Sequence, residues 1–163
     1  MSGYQILDEA TPGRWRAFAV HPQWPLLASM LCGAWLAWPW FVINGIALGT
    51  PTRRREALTI GAGLVVTVAL AWVLLLLVDR GVIESTLSIR LALLVFFAFK
   101  LAVSYATVLQ QSRSFATYEY YGGTVRSGVA VIVAGMMLRP LVVGLSNNLL
   151  WKLVVSGGWF LLV

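Results

Sequence analysis

Lys100, Ser104, Thr107 and Gln111 recur at spacings of four, three and four residues, so on a helix they share one face. A lysine one turn from a serine is the pairing of a Ser-Lys dyad, in which a neutral amine takes the proton of an attacking hydroxyl. Here both lie on a single helix with no recognisable oxyanion site, and the pair reads more simply as part of an interior polar stripe. A second cation, Arg139, stands immediately before Pro140, on a face shared with Gly128 and Gly135 at spacings of seven and four. Lys100 and Arg139 are therefore expected to line one interior region, with the polar stripe facing the segment that carries Arg139. His21 is the only histidine and Cys32 the only cysteine. That pattern supplies no metal-ligand spacing and no intrachain disulfide. No catalytic residue, metal or cofactor is expected.

The elements that carry these residues are apolar. Of 163 residues, 60% are hydrophobic and 11% charged, whereas charged residues make up about a quarter of an ordinary soluble domain. The sequence predicts an all-α, polytopic transmembrane bundle of about five helices, the last one short. The expected spans are residues 24–48, 57–78, 87–109, 127–145 and 149–163, behind a polar or interfacial tail of residues 1–23. A full crossing needs about 20 residues at about 1.5 Å each, so the fifth run spans only by thinning the bilayer, or is half-buried and re-entrant. The tail lacks a signal-peptide pattern and is expected to remain on the mature protein. Pro39, among Trp35, Trp38 and Trp40, is expected to kink the first span.

A net charge of +6 suggests nucleic acid at first sight, but the arginines are scattered through short loops and match anionic headgroups better. Nucleic acid is not an expected partner. Orientation rests on the compact Arg53-Arg54-Arg55 run, which places its loop in the cytoplasm and the amino terminus outside. Ten arginines against two lysines hint at a GC-rich bacterial genome, and the expected location is a bacterial inner membrane.

A lysine in a span costs about 3 kcal/mol on insertion scales, and the apolar residues around Lys100 return about 6 kcal/mol, so the segment inserts despite it. Insertion gives no reason for having it. None of the six carboxylates, Asp8, Glu9, Glu56, Asp79, Glu84 and Glu119, falls within an expected span. Three uses of the cations follow: snorkelling or bonding to backbone carbonyls, pairing with an acid on a partner's helix, or attracting an anion into an aqueous cavity. Ser29, Gly33, Ala37, Phe41 and Gly45 in the first span and Thr59, Gly63, Thr67 and Ala71 in the second repeat every four positions, and these mostly small faces suit close helix packing.

The run from Gly33 to Gly49, followed by a basic loop, a second span, Gln111 and Gly122-Gly123, resembles a pattern in uncharacterised small bacterial multi-pass membrane proteins. The resemblance implies a purposeful span-to-loop junction at Asn44 and Gly49, and no activity. The expected function is a non-enzymatic accessory or assembly subunit that contacts other transmembrane helices as a hetero- or homo-oligomer in the lipid bilayer. The competing expectation is a small homo-oligomeric transporter or channel for an anionic solute or lipid.

Overall fold

The computed structural model describes residues 15–156. Most of the expected tail and residues 157–163 of the fifth run lie outside them. Among the described residues the chain is all-α, with six α-helices and no strand: α1 (Gln23–Leu31), α2 (Ala34–Leu48), α3 (Arg53–Asp79), α4 (Thr86–Tyr120), α5 (Val129–Gly144) and α6 (Leu149–Val155).

Two helices, α3 and α4, are long and apolar enough to cross a membrane. Only 22% of the most apolar stretch of α3 and 28% of that of α4 is buried, whereas the core helix of a soluble protein is mostly covered. Leu58, Val65, Trp72 and Val73 of α3 and Leu87, Leu91, Leu94 and Val95 of α4 are exposed. The opposite faces are buried and partly polar: Glu56, Ile60, Gly63, Thr67 and Ala71 on α3, and Lys100, Ser104, Thr107 and Gln111 on α4. Small residues bring these two faces together, and a Cβ added at Gly63 would stand 2.6 Å from a methyl of Val103.

The run expected as one span, residues 24–48, is instead a helical hairpin. Ala19, just before α1, and Leu48, at the end of α2, pack in one cluster with Phe115 and Tyr118 near the carboxyl end of α4. Both ends of the hairpin therefore sit at the same end of the bundle. Its tip lies against the middle of α5: Trp24 covers Gly128, while Cys32 and Leu36 sit over Gly135. The break falls at Gly33, with φ 109° and ψ 177°, a conformation that only glycine adopts without strain. Pro39, the expected kink, lies inside an unbroken α2. At the other end of α2, Gly49 takes the left-handed conformation and Thr50 N–H donates to the Gly45 carbonyl at 3.2 Å, a Schellman-type stop.

The fifth run also behaves as a partial helix. Asn148 caps α6 by accepting from Leu150 N–H at 2.9 Å. Leu149 lies beside Asp79, at the far end of α3, and Leu153 packs with Ala71, Leu74 and Phe96. By Val154 and Val155 the helix has reached Ala34 and Trp38, where α2 begins. With 7 residues in α6 and 15 in α2, the two helices measure about 10 and 22 Å. Placed in succession they come to roughly 30 Å, about the thickness of a hydrocarbon core, beside the longer α3 and α4.

This arrangement changes the charge count. Arg53, Arg54 and Arg55 are exposed on the first turn of α3 and not in a loop. Arg113, Arg126 and the segment preceding α1 lie at the same end, because Arg126 N–H donates to the Ala19 carbonyl at 3.0 Å. Arg80 and Arg90 lie at the other, with Asp79 and Glu84. Against the expectation that they lie on opposite sides, these contacts put the described part of the amino-terminal segment and the Arg53 run at one end of the bundle.

Candidate functional site

The polar stripe of α4 is wholly buried and divides into two hydrogen-bonded clusters. At the basic end, Gln111 uses every group it has. Its Nε2 donates to the Phe41 carbonyl at 2.8 Å and to Glu56 Oε2 at 2.9 Å, and its Oε1 accepts from Asn44 Nδ2 at 3.1 Å. Asn44 Oδ1 then accepts Val20 N–H at 2.9 Å, which ties the segment before α1 to the bundle. Glu56 Oε1 accepts from Thr52 Oγ1 at 2.8 Å. The carboxyl group is thus held by neutral donors, against Gly45, where an added Cβ would come within 2.5 Å of it.

In the middle of the bundle, Ser104 Oγ donates to the Lys100 carbonyl at 3.0 Å and accepts from Trp38 Nε1 at 3.1 Å. Lys100 turns away towards α6. Its Nζ donates to the carbonyls of Leu153, Val154 and Ser156 at 3.1, 2.9 and 2.6 Å, and stands 5.4 Å from the centre of the Phe96 ring. Those carbonyls belong to the last turn and exit of α6, where no further helical turn supplies donors. An ammonium there meets both the unsatisfied oxygens and the negative end of the helix dipole. The hydroxyl and the amine are not aimed at each other as nucleophile and base. Thr107 is equally buried, with its hydroxyl donating to the Val103 carbonyl at 3.0 Å.

Compared with protein-family models, curated proteins and solved structures, the chain matches none. What the residues can do has to be read from their geometry.

Arg139 reaches the hairpin tip. Its Nη1 donates to the carbonyl of Leu31, the last residue of α1, at 3.3 Å. Trp35 Nε1 donates to the Cys32 carbonyl at 2.9 Å, so both carbonyls at the hairpin tip have side-chain donors. Lys100 thus bonds the carbonyls at the end of α6 and Arg139 the hairpin tip, and the stripe of α4 packs against α2, α3 and α6. The glycine face that Arg139 shares with Gly128 and Gly135 is the bed of the hairpin. Arg53, Arg54 and Arg55 stay outside both clusters.

Glu56 is the residue that sequence reasoning passed over. Following three arginines, it reads as loop, yet extending the buried face of α3 backwards from Thr67 through Gly63 and Ile60 arrives at Glu56. Among the described residues, no group of three or more His, Cys, Asp or Glu side chains is placed to hold a metal ion.

Proposed function

We propose that the chain is a multi-pass integral membrane protein of a bacterial inner membrane. It acts there as an accessory or assembly subunit that presents helix faces to other transmembrane helices. The observation that carries the reading is the inversion of polarity: Glu56, Lys100, Ser104, Thr107 and Gln111 are buried, while the outward faces of α3, α4 and α5 are apolar. Soluble monomers rarely expose contiguous apolar surface of that extent, and in lipid the same distribution is the favourable one. The interior supports a contact role over a conducting one, because the side chains that would attract a solute are already engaged with backbone carbonyls and with one another. With the basic end in the cytoplasm, as the excess of arginine there favours, the segment preceding α1 lies on the cytoplasmic side.

Purification from native membranes in mild detergent, followed by mass measurement, tests the reading. A stable complex containing a second polypeptide is the expected result. A closed ring of this chain alone would favour the transporter reading instead, and release of the chain by alkaline washing of membranes would remove the membrane location altogether.

A further inference from the structure

We propose that the groove between α2, α5 and the segment preceding α1 holds one acyl chain of an anionic phospholipid, with its phosphate on Arg126. The groove has a volume of about 440 Å³, within the range of small-molecule sites. Phe18 and Arg126 stand at its mouth, and Ile43, Val131, Pro39 and Trp35 line it. These residues run from the basic end of the bundle towards the hairpin tip at Cys32 and Gly33, so the groove descends from headgroup level to mid-bundle. Its polarity changes in the same direction, from guanidinium to hydrocarbon.

Arg126 is fixed at the mouth by its backbone. Its N–H donates to the Ala19 carbonyl at 3.0 Å, and Val20 and Arg126 form an isolated parallel bridge. The side chain itself is exposed and can reach a phosphate by paired N–H donors. A zwitterionic lipid offers the same phosphate, but its neighbouring ammonium is repelled by the guanidinium, so a net negative headgroup is favoured at the mouth. The hairpin creates this site, because an unbroken crossing helix would leave no recess beside its own returning limb.

The inference rests on the membrane location, and the test keeps the two apart. The full chain is purified in mild detergent and its retention of phosphatidylglycerol and phosphatidylcholine is measured by native mass spectrometry, alongside recovery of each variant in alkali-washed membranes. Preferential retention of one phosphatidylglycerol is expected. A basic residue near an anionic surface contributes about 1 kcal/mol, so Arg126→Gln is expected to weaken that retention about fivefold. Val131→Trp, which fills the groove, is expected to abolish retention of both lipids. Equal retention of the two lipids by the wild-type chain, or a Val131→Trp variant that still holds phosphatidylglycerol, overturns the lipid site while leaving the membrane location standing. Loss of the wild-type chain from washed membranes overturns the location itself.

Discussion

Lys100→Met removes the charge while keeping the length of the side chain, and its two consequences have opposite signs. Insertion becomes easier by about 3 kcal/mol, the cost of a lysine at the centre of a span. Docking of α6 becomes weaker, because three carbonyls at 2.6–3.1 Å lose their donor and Lys100 is only 5% exposed, leaving little room for water to replace it. Each buried acceptor left unsatisfied costs about 1–3 kcal/mol. Part of the loss is relieved if α6 swings away from α4, so the effect is local. At 1.4 kcal/mol per factor of ten, a local cost of about 3–4 kcal/mol lowers amide protection of Val155 and Ser156 by roughly 100- to 1000-fold. Hydrogen exchange in detergent reads this directly. A Val155→Cys thiol in a Cys32→Ser background provides a second readout, buried in the parent and labelled in the Lys100→Met variant. Lys100→Arg keeps the cation and is expected to preserve most of the protection. Exchange at Val155 and Ser156 within about threefold of the parent in Lys100→Met, with the thiol still hidden, would refute the capping argument.

Three further outcomes are expected. Gln111→Leu strands the Asn44 amide, the Phe41 carbonyl and the Glu56 carboxyl group, and should cost about 3 kcal/mol; in a double-mutant cycle by denaturant unfolding, Gln111→Leu and Glu56→Leu should couple by at least about 1 kcal/mol, and strict additivity would contradict the network. Gly33→Ala forces a side chain into a glycine-only conformation and should lower stability by about 1–3 kcal/mol, whereas Pro39→Ala should stay within about 1 kcal/mol; equal losses on thermal unfolding would count against a break at Gly33. Cysteines at Ala17 and Thr52, in a Cys32→Ser background, should both resist an impermeant thiol reagent in intact cells while one at Ser85 reacts; opposite labelling of Ala17 and Thr52 would restore a crossing helix in place of the hairpin.

The parts of the fold that were legible are those whose signal is local. The faces of α3 and α4 follow from a 3.6-residue period, and the burial of Lys100, Ser104, Thr107 and Gln111 together is the direct consequence of their spacing. The hairpin was not legible, because residues 24–48 carry no charge to mark depth and one apolar run fits a crossing helix as well as two shorter ones. Proline is the conspicuous breaker in that run, yet α2 continues through Pro39, whereas the turn falls at Gly33, where Gly135 lets Cys32 and Leu36 approach α5 closely. The partner of Lys100 was equally hidden. A search for side-chain acids cannot find carbonyl oxygens, which every residue possesses and which become acceptors only where a helix stops.

Carbonyls at helix ends serve both Lys100 and Arg139. Lys100 donates to the carbonyls at the end of α6, and Arg139 donates to the final carbonyl of α1. Under the membrane reading each short helix stops at a depth where a bilayer supplies no water, and a helix ending there leaves unpaired oxygens costing several kcal/mol apiece. Neutral donors could satisfy the oxygens singly; a cation also opposes the negative end of the dipole and can serve several oxygens at once. Under the membrane reading, the cations are what allow α1 and α6 to end inside the bundle, and the interruption of α1 in turn opens the groove below Arg126. Contacts with lipid or with other helices are left to the apolar outer faces and to that groove, while the polar interior holds the shape that presents them.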